Sequence, residues 1–340
     1  MTTAPDSARD EVTLRESVPP VREWARTFVV GLFMGTADGV PGVSGGTVAL
    51  IAGIYERLIT AINAVSLARF LDGLRALTPL DGGVSLDRAA AVLEEVDGWF
   101  LVALLGGIGT AVVAVGQAVE YADEHAPVLM FGFFFGLIGA SALVLLREVA
   151  IRTVAEAVAA AAGVVVAFVA SGYSESLLGG GGLPVVFVAG AVAVSAMILP
   201  GLSGSLLLVI LGQYTYMYAQ LGNFLDGVAA VATRGAVAEL TGPGVVVAVF
   251  ICGGLAGLFT IARVIRAALD ANREVTYAFL VALVLGALRA PITALNDPVE
   301  YPSVVWDTAT VEAFAALAVV GAALVFALDW YAVDIDLDSV

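Results

Sequence analysis

Lysine is missing from this chain. All 15 basic residues are arginines, they face 31 Asp and Glu, and the formal net charge is −16 over 340 residues. With no basic stripe to displace counterions, nucleic acid is excluded as a partner. A lysine-free acidic surface suits solubility at very high salt, where screening removes self-repulsion, and points to a salt-loving archaeon. Cysteine occurs once, at Cys252, which excludes a disulfide within the chain and any multi-cysteine metal centre. In its apolar, glycine-rich run Cys252 reads as a packing residue. Histidine also occurs once. His125 stands beside Pro127 in a short acidic segment and reads as an exposed loop residue, so a histidine-dependent phosphatase or metal hydrolase has little to work with. No metal and no cofactor is expected.

Charge itself is scarce. Only 14% of residues are charged and 60% are hydrophobic, against roughly a quarter and roughly half in a soluble domain. The apolar residues fall in blocks of about 20, the length that crosses a hydrocarbon core. Six segments read as full spans: 99–119, 128–146, 153–171, 245–265, 276–294 and 310–330. Two further apolar stretches, 27–63 and 183–221, are too long for one span, and Gly and Pro interrupt each in its middle. Residues 1–24 form an acidic tail without the apolar core of a secretory signal, and 333–340 form a second acidic tail. The segment 64–98 holds two stretches, LARFLDGLRAL and DRAAAVLEEV, that read as amphipathic helices on the membrane surface.

The interruptions repeat. GVPGVSGGTVALIAGIYERL and MILPGLSGSLLLVILGQYTY superpose without a gap at a shift of 159 residues, with Pro41/Pro200, Gly42/Gly201, Ser44/Ser203, Gly45/Gly204, Gly53/Gly212 and Tyr55/Tyr214 identical. Gly106-Gly107 matches Gly253-Gly254, and Gly139 matches Gly286, at a shift of 147. The chain therefore reads as an internal duplication, with a first repeat over 25–171 and a second over 183–332.

Counting arginines in the connecting segments gives the topology. If both interrupted hairpins turn back to the face they entered from and the N-terminus is cytoplasmic, twelve arginines lie inside and Arg234 alone lies outside. If each hairpin crosses once, the same residues divide seven to six. Re-entrant hairpins are favoured. Three crossings per half is an odd number, which turns the second half upside down. The expected fold is an all-α polytopic membrane protein with an inverted structural repeat, each half a re-entrant broken-helix hairpin plus three transmembrane helices, and both termini on the cytoplasmic side of the cell membrane.

A helix stopped by proline at membrane depth leaves backbone groups that lipid cannot satisfy, so such breaks persist where they are buried in protein or line a cavity. Glycines at the tip let the chain reverse, and the next half-helix turns its positive end into the bend. Backbone donors with a hydroxyl at a helix N-terminus make an anion site, and transporters with inverted repeats bind substrate where broken helices meet. The candidate substrate-binding residues are Pro41, Gly42, Ser44, Gly45, Gly46 and Thr47 at the first tip and Pro200, Gly201, Ser203, Gly204 and Ser205 at the second. Packing by small residues is the plain alternative. Arg289, deep in its span and replaced by Ala142 in the first half, is a candidate to pair with a phosphate or carboxylate. Asp38, three residues before Pro41, is an intramembrane carboxylate and a candidate carrier of a coupling proton or sodium ion. Glu56 and Arg57 are placed near the cytoplasmic interface, where snorkelling accounts for them. Tyr55 and Tyr214 are candidates to brace the hairpins.

MGTADGVPGVSGGTVALIAGIYERLI closely resembles the signature of the DUF368 membrane protein family, MILPGLSGSLLLVILGQY resembles its second signature, and GALRAP is similar, more loosely, to its stretch near the C-terminus. The resemblance covers the chain from about residue 26 to 330. It implies movement of undecaprenyl phosphate, or an archaeal polyprenyl equivalent, back across the membrane for reuse in envelope and glycan synthesis. It also implies a lipid-phosphate site at Pro41, Gly42, Ser44, Gly45, Pro200, Gly201, Ser203 and Gly204, with Arg289 as counter-charge. The family's pattern often has Asn in the place of Asp38, and here Ser205 stands where the first tip has Gly46. The expected function is a polyprenyl-phosphate translocase; the alternative is an ion-coupled carrier of a small soluble anion. A lipid-phosphate enzyme would have only serines and Asp38 to act with near the midplane, and no enzymatic activity is expected.

Overall fold

The computed structural model describes residues 19–64, 96–147, 149–178, 182–197 and 203–338. The first amphipathic stretch, the second up to Glu95, residues 1–18 of the acidic tail, and Pro200 and Gly201 lie outside the described residues.

Fourteen helices and no strand occupy the described residues. In order they are α1 (Val21–Gly39), α2 (Gly45–Ile51), α3 (Tyr55–Ala64), α4 (Gly98–His125), α5 (Pro127–Leu146), α6 (Val154–Leu178), α7 (Leu183–Ala196), α8 (Gly204–Ile210), α9 (Tyr214–Arg234), α10 (Val237–Phe259), α11 (Ile261–Ala271), α12 (Arg273–Gly286), α13 (Arg289–Leu295) and α14 (Thr308–Asp338). Six continuous or nearly continuous stretches are long and apolar enough to cross a membrane: Gly98–His125, Pro127–Leu146, Val154–Gly172, Val237–Ala271, Arg273–Leu295 and Thr308–Tyr331. They coincide with the six spans expected from hydropathy. The segments Gly45–Ile51 and Tyr55–Ile62 are bent by 119° at their break.

Local chemistry sets the helix ends. Pro127 opens α5, where its missing N–H has no partner to lose. Thr153 and Glu156 form a capping box at the start of α6: the Glu156 N–H donates to Thr153 Oγ1 at 3.3 Å and the Thr153 N–H to the Glu156 carboxylate at 3.1 Å. Asn272 caps α12 by accepting from the Val275 N–H at 3.1 Å. Asp307 caps α14 through the Thr310 N–H at 2.8 Å, which holds its carboxyl below the usual range. Gly235, at φ 67°, ends α9 in the left-handed conformation that a side chain resists.

The chain divides into two compact units, Met1–Gly35 with Val48–Ala111, and Thr36–Thr47 with Val112–Val340. In the first, α1 and α4 touch backbone to backbone: a Cβ on Gly31 would fall on the Leu104 carbonyl, and one on Gly107 on the Phe28 carbonyl. The core is Met34, Ala49, Ala61, Phe100 and Leu104. Arg57 ties this unit together at its surface, reaching Asp97 at 2.6 and 3.0 Å, Glu23 at 3.0 Å and the Phe100 ring at 4.4 Å. It is a clamp among α1, α3 and the start of α4 rather than a lone snorkelling side chain. Because the pairs are 38–44% exposed, Arg57→Gln should cost no more than about 1 kcal/mol. Thermal unfolding should show that loss shrinking as salt is raised.

The second unit is built on three close helix pairs, α5 with α14, α6 with α12 and α7 with α10. Each pair meets at glycines, as expected where packing rather than water drives helices together. In α7 and α10, a Cβ on Gly190 would fall on the Phe250 carbonyl and one on Gly253 on the Phe187 carbonyl. These are the contacts of Gly31, Leu104, Gly107 and Phe28 over again. These contacts place Gly107 and Gly253 alike, at a shift of 146 residues rather than the 147 of the Gly-Gly alignment. The turns recur too: Gly53 and Gly212 both take positive φ, 68° and 63°, immediately after seven-residue helices. Cys252 is exposed on α10 rather than packed. His125 ends α4 instead of lying in a loop; its ring stacks on Tyr121 with centroids 4.3 Å apart, and Nδ1 lies 3.0 Å from the Tyr121 carbonyl.

Candidate functional site

At the first tip, Pro41 ends α1 because it lacks the N–H that would continue the ladder, and Gly42 reverses the chain at φ 89°. The carbonyls orphaned by the break find side-chain donors. Gly39 O accepts from the hydroxyls of Tyr214 at 2.7 Å and Tyr218 at 3.1 Å, and Gly42 O accepts from Ser141 at 2.5 Å. On the donor side, the Gly45 N–H that opens α2 donates to Asp38 Oδ1 at 2.7 Å. An anionic oxygen therefore already sits at the bend, supplied by the chain itself. Ser44 is half-buried beside it, its carbonyl accepting from the Thr47 N–H at 3.1 Å, and Gly46 follows in the first turn of α2. Pro41 is fully buried.

At the second tip the described residues begin with Ser203. It occupies the N-cap position of α8 in an extended conformation, but its hydroxyl bonds the Ser205 hydroxyl at 2.5 Å instead of capping the backbone. Ser203 and Ser205 are both buried, as is Gly204. The place of Asp38 is taken here by Met197, so the two tips differ in charge.

Arg289 opens α13, just after α12 breaks at Ala287 and Leu288. Its Nη1 donates to the Phe168 carbonyl at 2.8 Å, and its guanidinium lies 4.1 Å from the Phe168 ring centroid. A Cβ on Gly172 would collide with that guanidinium, so the bare glycine leaves room for it against α6. Among the described residues Arg289 forms no ion pair with a carboxylate. It is a half-buried cation within a span.

One buried cluster brings these parts together. Val40 and Val43 of the first tip, Leu206, Leu207, Val209 and Ile210 of α8, and Ala287, Leu288 and Ala290 around the α12–α13 break all belong to it. Tyr214 belongs to it as well, linking the foot of α9 to the first tip, whereas its repeat mate Tyr55 is 41% exposed. Bracing is thus confined to one of the two tyrosines. Sequence reasoning did not anticipate Tyr218, Ser141 or the Asp38–Gly45 bond; an aspartate seven residues before a glycine at a helix start was the only signal available.

The loop following α13 carries acids. Tyr301 donates to Asp123 at 2.5 Å. Burial, together with the charges of Asp123 and Asp297, holds the Glu300 carboxyl above its ordinary value of 4.5. A carboxyl raised in the folded state binds its proton more tightly there than in the unfolded chain. Its contribution is therefore intact below pH 4.5 and is lost as pH rises through the folded value. Unfolding midpoints at fixed salt should fall with rising pH over that window, and Glu300→Gln should flatten the profile.

Six membrane-length apolar stretches and a bent helix pair define a multi-pass membrane protein. Residues 34–300 match the undecaprenyl phosphate translocase-like family, and the chain belongs to it. The matched span takes in both tips and Arg289. A relative from Vibrio cholerae, named polyprenyl-phosphate transporter, is 31% identical over 263 residues, covering 77% of this chain and 75% of the relative. No solved structure matches the chain.

Proposed function

We propose that this chain is a translocase that returns a polyprenyl phosphate carrier across the cell membrane for reuse in envelope or glycan synthesis. The phosphate is held between the two Pro-Gly-x-Ser-Gly tips and Arg289, and the isoprenoid tail stays in lipid. The observation that carries this reading is the Asp38–Gly45 bond: a carboxylate oxygen accepts from the first tip at 2.7 Å, so the bend accommodates an anionic oxygen. The substrate named for the Vibrio cholerae relative supports the lipid over a small soluble anion. The repeated hairpin contacts and the arginine distribution support two re-entrant hairpins in opposite orientation, with both termini cytoplasmic. A phosphate oxygen and the Asp38 carboxylate compete for one donor, so neutralising Asp38 with a proton or a sodium ion eases their exchange. Asp38 is in this way the candidate coupling residue.

Flipping of polyprenyl phosphate in proteoliposomes tests the reading through Ser44→Ala, Ser203→Ala and Arg289→Gln made singly. Each should slow flipping, and unchanged rates in all three would remove the site from the tips. Short-chain phosphates should remain untransported.

A further inference from the structure

The second unit contains a cavity of about 590 Å³ that plays no part in the reading above. Among the residues lining it are Asp123, Ser171, Gln213, Thr293, Asn296 and Glu300, drawn from the end of α4, from α6, the α8–α9 turn, α13 and the loop beyond it. Among the described residues no lysine, arginine or histidine lines it.

What lines it is rich in acceptors. The Thr293 hydroxyl spends its proton on backbone carbonyls, those of Ser171, Arg289 and Ala290 at 3.0–3.1 Å, so its lone pairs are what it can offer. Two carboxylates share the space. Asp123 receives the Tyr301 hydroxyl, and Glu300 feels the negative charges of Asp123 and Asp297. Arg289 lies close by across Gly172, but its guanidinium is turned to Phe168 and bridges to neither carboxylate among the described residues.

Gln213 supplies an observation of a different kind. Its side chain is 4% exposed and, among the described residues, its Oε1 has no hydrogen-bond partner, while its amide nitrogen reaches the Gly212 carbonyl at 3.4 Å. A buried acceptor left unsatisfied is costly and is uncommon without a reason. Here it lines a cavity that already holds two carboxylates.

We propose that this cavity binds a monovalent cation, with Glu300, Asp123 and the Gln213 carbonyl oxygen as its principal ligands. An anion entering it would meet two carboxylates and, among the described lining residues, no cation, so the site is distinct from one for lipid phosphate. The described residues contain no group of three or more His, Cys, Asp or Glu able to hold a metal ion. Two carboxylates with amide and hydroxyl oxygens instead suit a hard, partly hydrated alkali ion such as sodium. The proposal does not rest on the transport reading, since binding is measured without substrate.

Thermal unfolding of the full chain in NaCl, KCl and choline chloride at one fixed ionic strength tests it. Sodium or potassium should raise the midpoint above that in choline, and the rise should saturate. Glu300→Gln and Gln213→Leu should each weaken half-saturation about tenfold. If Glu300→Gln does not fold, Gln213→Leu carries the comparison alone. Identical midpoints in all three salts would overturn the proposal. So would stabilisation by sodium or potassium that persists undiminished in the folded variants.

Discussion

Replacing Arg289 with glutamine should slow polyprenyl-phosphate flipping at least tenfold while leaving the protein folded. A charge-assisted hydrogen bond to a phosphate contributes about 1.5–3 kcal/mol, and each 1.4 kcal/mol is about a factor of ten. The guanidinium also has a structural attachment, to the Phe168 carbonyl and ring, and the ring contact contributes about 1 kcal/mol. Two further variants separate these roles. Phe168→Leu removes the ring and leaves the charge, so it should lower the unfolding midpoint while flipping persists. Gly172→Ala keeps the arginine but places a methyl group where the guanidinium lies, so it should slow flipping as Arg289→Gln does. Arg289→Lys should fall between, because an ammonium retains charge and loses the planar fork. If Phe168→Leu stops flipping and Arg289→Gln does not, Arg289 is a packing residue and the phosphate lies elsewhere.

The largest effect on folding is expected at the α5–α14 contact. Gly132 and Gly136 lie one turn apart on α5, and Cβ atoms there would fall on the Phe314 and Ala318 carbonyls of α14; Gly321 answers from α14 against the Phe133 carbonyl. The helices are so close that the obstacle is backbone, which cannot rotate aside as a side chain can. Gly136→Ile should therefore cost about 3 kcal/mol, the upper end of ordinary overpacking. Gly109 of α4 has no atom within 4 Å of its would-be Cβ, and Gly109→Ile should be close to neutral. Equal losses from the two substitutions, measured by unfolding in the same bilayer mimic, would show that the contact is looser than described.

Arg57 shows where reading a sequence stops. Its distance from the first tip places it near an interface, where a long side chain reaching for water is sufficient explanation. Its partners Glu23 and Asp97 stand 34 and 40 residues away, and no periodicity links them. Asp38 and Tyr214 are similar: each is conspicuous in the sequence, and neither spacing nor composition says that one donates to the first tip and the other fills its donor.

The sequence by itself determined the membrane class, the six spans and the break at the first tip, and it points to a duplication. Each of these follows from local quantities: apolar length, the missing N–H of proline, and the recurrence of identical residues at a fixed shift. Only the tertiary structure decided which helices pair, that a carboxylate occupies the first tip, and that Tyr214 and Tyr218 donate to the Gly39 carbonyl beside it. The physical reason is the solvent. A helix with one face in water shows its buried side as an apolar stripe, but a helix surrounded by hydrocarbon is apolar on both sides, so neither its inward face nor its partner can be read from its residues alone.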